Sequence, residues 1–188
     1  ATGTLTRISL QTYSSFLLLM PRKLLDQHTN PKALPTIGWR ERVSLPNLGI
    51  KQITAKTDTG AYSSSIHAFD ITEFKKEQEL WIKFCVLTSR HSADSTHWCE
   101  ARVVDQRKVK NSGGKSIRRY FIATIICIGE QCWEIELSLA DRESMGYRML
   151  LGRTAIRGNF LIDPRKSYLK GKPTQKFNGL KNGSEEQL

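Results

Sequence analysis

One carboxylate stands out in the run KTDTGAYSSSIHA, residues 56–68, because small and hydroxylated residues surround it. Asp58 follows a strand-like segment, IKQITAKT, and precedes Thr59 and Gly60. At the end of a strand such a carboxylate can be held in a tight turn, where Gly60 lets the backbone pass closely and Thr59 bonds to neighbouring main chain. A carboxylate held this way can transfer protons in a reaction. Because Asp-Thr-Gly is also ordinary turn chemistry, a purely structural role for Asp58 stays open.

Length and composition favour a single domain with flanking tails. The chain has 188 residues, 39% of them hydrophobic, and its mean hydropathy of −0.41 is that of a soluble protein. A formal charge of +11 and a pI near 9.7 favour an acidic partner, which could be nucleic acid, an anionic surface or an acidic peptide. The alternative is a domain with basic tails that only aid solubility.

The ends of the chain differ from its centre. We expect residues 1–36 to form a loosely structured N-terminal extension, 37–170 a folded domain, and 171–188 a disordered basic tail. The longest apolar run near the N-terminus is FLLLM, which is too short to span a membrane. We therefore expect a cytoplasmic protein without membrane insertion. A periplasmic location is the alternative if an export signal preceded Ala1.

Alternating hydrophobic residues predict strands through the central region. ELWIKFCVL alternates so that both faces are at least partly buried, and CWEIELSL predicts a half-buried strand. Between them, EARVVDQRKVKNSGGKSIRRYFIATIICI predicts a long hairpin with a glycine-containing turn. A short helix is predicted in GRTAIRG, between Gly152 and Gly158. The fold class is therefore mostly β.

The four cysteines do not fit a disulfide framework or a zinc-ribbon spacing, so buried free thiols are the default. Cys127 and Cys132 flank a short turn and can face each other across a hairpin. An oxidised pair is the alternative there if the protein is exported.

The order of these segments resembles one half of a retropepsin-like aspartic peptidase. The chain carries Asp58-Thr59-Gly60-Ala61, then a glycine-tipped hairpin (VKNSGGKS), then CWEIELSL, and then Leu150-Leu151-Gly152 running into a short helix. More closely, residues 38–168 resemble a bacterial retropepsin-like family labelled putative ATP-dependent zinc protease, one branch of which is associated with the RimK glutamylation system. The resemblance implies a closed half-barrel of the acid-protease type with one short helix.

The resemblance also implies a mechanism and a partner. Two carboxylates would share a proton, so that one activates water while the other polarises the scissile carbonyl. Since the chain has one D-T-G, the pair requires a homodimer in which each subunit contributes Asp58, Thr59 and Gly60. The residues implied to contact a peptide substrate are Ala61, Leu151 and the hairpin tip, Ser112, Gly113 and Gly114.

This chain departs from the viral pattern at two points. In viral retropepsins an acidic residue commonly follows D-T-G-A and pairs with the arginine after the hydrophobic-hydrophobic-Gly element. In this chain that element, the second glycine element, is Leu150-Leu151-Gly152. Tyr62 occupies that position here, which leaves Arg153 without an assigned partner, and Asp163 is a candidate. About thirty residues are also inserted between the D-T-G turn and the hairpin, and they are expected to reshape the pocket or the dimer contact.

The family label mentions zinc and ATP, but the residues for either are incomplete. There is no H-E-x-x-H, and His91, His97 and Cys99 form the single His/Cys group, in a polar stretch. SGGKS resembles the end of a P-loop, but Val109 stands where the first glycine is needed. We expect no metal and no cofactor.

The hairpin from Ala101 to Tyr120 carries seven cationic residues against Asp105 alone. One hypothesis is that it favours acidic peptides, such as a glutamate-rich tail; the alternative is that its charges only face solvent. Three other functions stay open beside an aspartic endopeptidase: a non-catalytic binding module of this shape, a zinc-dependent peptidase and, least favoured, a nucleic-acid-binding protein. The cations are Arg102, Arg107, Lys108, Lys110, Lys115, Arg118 and Arg119.

Overall fold

The computed structural model describes residues 33–89, 95–110, 114 and 116–172. Within these ranges the chain forms ten strands, one short helix and one turn of 3-10 helix, which confirms the mostly β prediction. The predicted N-terminal extension and basic tail lie almost wholly outside the described residues. The elements are β1 (Thr36–Gly38), β2 (Arg40–Leu45), the 3-10 helix (Pro46–Leu48), β3 (Ile50–Asp58), β4 (Ser64–Lys76), β5 (Glu79–Leu87), β6 (Thr96–Lys110), β7 (Ser116–Ile128), β8 (Gln131–Ala140), β9 (Met149–Gly152), α1 (Arg153–Ile156) and β10 (Leu161–Asp163).

Eight strands form one sheet that closes back on itself. Their order is β2-β3-β9-β4-β5-β6-β7-β8, and two further pairings, β2 with β7 and β4 with β8, join distant parts of that order. The remaining two strands, β1 and β10, pair in parallel with each other. Isoleucine, leucine, valine and phenylalanine side chains fill the interior of this nearly barrel-like sheet. Its closure matches the predicted retropepsin-like half-barrel.

In β5 and in the first half of β8, the hydrophobic alternation predicts which strand faces are buried. In β5, Ile82, Phe84 and Val86 are buried, and so is Cys85 on the other face. The second half of β8 is buried on both faces, because Ser138 is enclosed and its hydroxyl donates to the Ser64 carbonyl oxygen at 3.0 Å. A serine bonded in this way can lie in the core, which the alternation of residue types does not reveal.

The inserted segment extends the sheet. It forms the outer part of β4, all of β5 and the start of β6, which pair antiparallel in a meander. A two-residue turn joins β4 to β5, and both of its residues, Glu77 and Gln78, have positive φ (52° and 64°). Turns of this kind match the right-handed twist of the strands that they connect.

Cys127 and Cys132 lie opposite each other in the β7–β8 hairpin and are joined by a disulfide with an S–S distance of 2.06 Å. The default prediction of free thiols is therefore wrong for this pair, because the hairpin register places the two residues directly opposite each other. It is confirmed for Cys85 and Cys99, which are buried free thiols. Among the residues that the structure describes, no helix has both the length and the apolar character needed to cross a bilayer.

The parallel pairing of β3 with β9 places the D-T-G turn beside the second glycine element. Asp58 lies opposite Gly152, and Thr57 lies opposite Leu151. The amide of Gly152 donates to the Ser64 hydroxyl oxygen at 3.1 Å. A Cβ added to Gly152 would overlap the backbone of Ser63 and lie 2.9 Å from the Ser64 nitrogen. Only glycine therefore allows the chains to approach this closely.

A histidine anchors the loop between β8 and β9, residues 141–148, to strand β4. The ring Nδ1 of His67 accepts the backbone N–H of Arg142 at 2.8 Å, and the His67 amide donates to the Arg148 carbonyl oxygen at 2.7 Å. His67 is buried, and its burial, with Arg148, lowers its pKa below the ordinary value, while Asp141 and Glu143 oppose that shift. Because Nδ1 accepts an N–H, this contact requires a ring that is unprotonated at that nitrogen.

The close contact at Gly152 leads to a stability prediction. We expect Gly152→Ala to destabilise the fold by at least about 3 kcal/mol, the upper end of the usual cost of overpacking, because backbone rather than a flexible side chain occupies the space. Gly146→Ala is the matched control, since a Cβ there meets nothing within 4 Å, and it is expected to change stability by less than about 0.5 kcal/mol. Urea unfolding of both variants measures the difference, and equal stability of the two would contradict the packing argument.

The His67 contact leads to a prediction about pH. Because its pKa is lowered in the native state, the unfolded chain binds a proton more readily, so the free energy of unfolding should fall as pH drops below 6.5. In His67→Asn, an amide oxygen can accept the Arg142 N–H without titrating, so this part of the pH dependence should disappear. Unfolding curves between about pH 5 and about pH 8 measure it. Parallel pH profiles for the two proteins would rule out the neutral-histidine anchor.

Candidate active site

Asp58 lies at the end of β3 with one carboxylate oxygen fixed by the following turn. Its Oδ1 accepts the backbone amides of Gly60 at 3.0 Å and Ala61 at 3.1 Å. No hydrogen bond or ion pair with the described residues engages the other oxygen, Oδ2. The side chain is half-buried. A carboxylate oriented by two amides through one oxygen keeps its second oxygen available for a reacting group.

The turn that carries Asp58 is fastened to the start of helix α1. The Arg153 guanidinium donates through Nη1 to the carbonyl oxygens of Thr59 at 2.8 Å and Gly60 at 3.1 Å. The Arg153 amide donates to the Ala61 carbonyl at 2.9 Å. These bonds explain why the helix must begin directly after Gly152, since its first residue holds three consecutive carbonyls of the turn.

Arg153 therefore has backbone carbonyls as partners, and Asp163 does not take that role. The carboxylate of Asp163 accepts from Arg165 at 3.0 Å and 3.1 Å and lies 4.0 Å from the Lys166 amine. Tyr62, at the position where viral enzymes commonly have an acid, is 62% exposed and lies near the Arg153 guanidinium. The sequence could not reveal this arrangement, because every residue carries a carbonyl.

A cavity of about 890 Å³ opens beside Asp58. Gly60 and Ala61 of the turn line it together with Tyr62 and Leu150. Asp58 is the single carboxylate among the described residues of its wall, which also holds four cations. These are Lys56, Lys110, Arg119 and Arg142.

The predicted hairpin is formed by β6 and β7 and flanks this cavity. Val109 and Lys110 on β6 and Arg119 on β7 line it. Gly114, at the tip, is exposed and has a positive φ of 82°. Ser112 and Gly113 lie outside the described residues, so their predicted contact with substrate stays a prediction.

The remaining predicted site residues lie in different surroundings. Thr59 is exposed, and its carbonyl binds Arg153. Leu151, predicted to contact substrate, has no exposed surface and packs in the core, whereas its neighbour Leu150 lines the cavity. Strand geometry explains why Leu150 and Leu151 differ, because successive side chains of β9 point to opposite faces of the strand.

Arg142 is the cavity residue that sequence reasoning missed. It lies in the loop after β8, is 9% exposed, and donates through Nε to the Tyr147 carbonyl at 3.2 Å. Its Nη1 is 3.5 Å from the Ser65 hydroxyl oxygen. The local sequence, DRESMGYR, reads as a polar turn. Only the anchoring of this loop to β4 brings Arg142 beside Asp58.

Those weak zinc and nucleotide candidates that the structure describes do not fit either group. Cys99 is buried, its thiol points to the Leu48 carbonyl oxygen at 3.4 Å, and burial, with Cys85, raises its pKa to about 11. His91 lies outside the described residues. Within the described ranges, no three side chains of His, Cys, Asp or Glu come together as a metal site. The SGGKS segment leads into strand β7, whereas a P-loop must lead into a helix.

Comparison with known proteins agrees with this architecture. Residues 36–173 match the RimB-like family, described as retropepsin-like aspartic endopeptidase RimB. The crystal structure of Lpg0085 from Legionella pneumophila, a protein of unknown function, superimposes with a TM-score of 0.62 and 28% identity, covering 72% of this chain and 98% of that one.

Longer relatives carry a different name. A probable alpha-L-glutamate ligase from Shewanella pealeana is 43% identical over 78% of this chain, and one from Parasynechococcus marenigrum is 42% identical over 72%. This chain spans 35% and 29% of their respective lengths, so it corresponds to about a third of each relative. The D-T-G turn at the end of β3, its fastening to the element after Gly152, and the match over residues 36–173 together establish that the chain belongs to the RimB-like family of retropepsin-like proteins.

Proposed function

We propose that this chain is an aspartic endopeptidase that acts as a homodimer, with one Asp58 from each subunit at a shared site. The observation that carries the proposal is the geometry of Asp58, whose Oδ1 is fixed by two amides at the edge of a large cavity. A single carboxylate cannot both activate water and polarise a carbonyl. A second copy related by a two-fold axis would supply the other.

In the proposed reaction the two carboxylates share one proton. The ionised Asp58 accepts a proton from water as the water oxygen attacks the carbonyl carbon, and the protonated Asp58 of the other subunit donates to the carbonyl oxygen. The resulting tetrahedral diol collapses when the peptide nitrogen takes a proton and the C–N bond breaks. The products are a new carboxylate and a new amine, and the shared proton is restored to the pair.

An acidic peptide is the substrate class that the charges support. Four cations line the cavity that holds Asp58, so an acidic chain would be attracted to it. The relatives named probable alpha-L-glutamate ligase contain a segment similar to this chain. By their name those proteins join glutamate, and a glutamate-rich product would be a suitable substrate for a peptidase with this cavity. Their ligase activity does not carry over to this chain, because the match covers only about a third of each relative.

Replacing the carboxylate tests the catalytic role. We expect Asp58→Asn to lower kcat on an oligo-glutamate peptide by on the order of 10⁴-fold, because the amide cannot accept a proton from water. Asp70→Asn is the matched control, since Asp70 is exposed on β4 at a positive φ that asparagine tolerates. Mass spectrometry of the peptide products, with and without a chelator, measures the rates. Activity that a chelator abolishes and zinc restores would favour the zinc-dependent alternative instead.

Mixing the two chains tests the shared site. An excess of Asp58→Asn chain should lower the activity per wild-type chain, because mixed dimers contain one carboxylate and cannot complete the pair. Sedimentation measurements on the same mixtures report whether mixed dimers form. Undiminished activity per wild-type chain in such mixtures would contradict a site built from two subunits. A folded protein that cleaves no peptide would favour a binding module.

A further inference from the structure

Two arginines from separate parts of the fold meet in the cavity that holds Asp58. Arg119 comes from strand β7, and Arg142 comes from the loop between β8 and β9. Arg142 is nine-tenths buried and Arg119 is half-buried, so neither is an ordinary solvated surface charge. Buried arginines normally have carboxylate partners, because removal of a charge from water is costly.

Neither arginine has such a partner among the described residues. Arg107, on the same hairpin, shows the usual arrangement, with Asp105 at 2.6 Å and Glu136 as its second partner. By contrast, no ion pair with a described residue involves Arg119 or Arg142. The guanidinium of Arg142 donates within the described chain through Nε and Nη1, and no such hydrogen bond uses Nη2. Guanidinium donors thus face the cavity without a carboxylate to accept from them.

The electrostatics of the pair favour an incoming anion. Burial lowers the pKa of the Arg119 guanidinium. For Arg142, burial and then the charge of Arg119 lower the pKa, while Asp58 raises it. Both groups stay protonated, since arginine is not deprotonated in proteins. Two desolvated positive charges in mutual repulsion are stabilised when a negative charge lies between them, and a carboxylate matches the planar donor array of a guanidinium.

The neighbouring cavity shows that the excess of positive charge is larger on the Asp58 side. That cavity, of about 680 Å³, is lined by three cations, Arg107, Lys108 and Lys110, but Glu134 and Glu136 offset two of these charges. In the Asp58 cavity the sole acid of the described wall is the catalytic candidate itself. An anion that binds there is therefore placed next to the reacting groups.

We propose that Arg119 and Arg142 form a subsite that binds a substrate carboxylate on a residue next to the scissile bond. The inference rests on the proposed function, since it places the subsite relative to a bond that Asp58 would cleave. It makes the two arginines specificity-determining residues rather than catalytic ones. The carboxylate has two possible sources: the side chain of a glutamate or aspartate, or the C-terminal carboxylate of a peptide trimmed from its end.

Peptide cleavage by the full chain and its arginine variants tests this subsite. Hexaglutamate is compared with peptides in which single glutamates are replaced by glutamine. Arg119→Gln should lower kcat/KM on hexaglutamate by about 10- to 100-fold and leave unaffected the peptide whose glutamine lies beside the scissile bond, so the preference for glutamate at that position is lost. Arg142→Lys keeps the charge but not the planar donor pair, and should lose part of the preference. Arg157→Gln, an exposed arginine outside the cavity, is the matched control.

Amidation of the peptide C-terminus distinguishes the two sources. If the preference depends on glutamate beside the scissile bond and ignores amidation, the side chain occupies the subsite. If amidation alone removes the preference, the terminal carboxylate occupies the subsite. A glutamate preference in Arg119→Gln equal to that of Arg157→Gln, for both kinds of peptide, would overturn the proposal. Arg119→Gln keeps the test decisive if the buried Arg142 variant does not fold.

A binding measurement separates failure of the subsite from failure of the proposed function. Hexaglutamate binding to Asp58→Asn is measured by calorimetry, with and without the added Arg119→Gln change. If wild-type protein cleaves nothing but binding falls at least about 10-fold with Arg119→Gln, the peptidase proposal fails and the carboxylate subsite stands. If cleavage occurs but neither binding nor preference depends on Arg119, the subsite fails and the peptidase proposal stands.

Discussion

The site depends on one contact, the parallel approach of β9 to β3 beside the backbone of Ser63. This approach brings Gly152 opposite Asp58 and lets helix α1 begin where Arg153 can reach the turn. Without it, the Asp-Thr-Gly turn would be an exposed loop at the end of a strand. The close packing of two main chains thus converts a common turn sequence into a rigid support for a carboxylate, which is what a reacting group needs.

The two neighbouring cavities, one lined by Asp58 and one not, differ in how their charges are balanced. In the 680 Å³ cavity, two carboxylates of β8 offset two of the three hairpin cations. Beside Asp58, no such offset occurs within the described residues, and the cations come from β3, β6, β7 and the loop after β8. The excess of positive charge is therefore larger in the cavity beside Asp58 than in the neighbouring one, and this is where the proposed substrate would bind.

Local patterns in the sequence predict the fold well, because they report local physics. Alternation identifies β5 and the long hairpin, and the paired glycines Gly152 and Gly158 delimit the short helix. The turn residues predict a candidate site at Asp58, since their order along the chain is characteristic of the family. Sequence alone does not reveal the carbonyl partners of Arg153, the burial of Leu151 or the position of Arg142. Each of these depends on which distant strands meet, and residue types do not encode that directly.

The carbonyl oxygens that accept from Arg153 also determine how the Asp58 turn responds to low pH. Where an arginine is held by an acidic side chain, protonation of that side chain at low pH removes the charge that holds it. The acceptors of Arg153 are the Thr59 and Gly60 carbonyls, which do not titrate. The hydrogen bonds that hold the Asp58 turn are therefore insensitive to low pH. Residue 62 does not need to carry a negative charge to hold Arg153. An aromatic ring can therefore stand at the mouth of the cavity, where it offers an apolar wall to whatever enters.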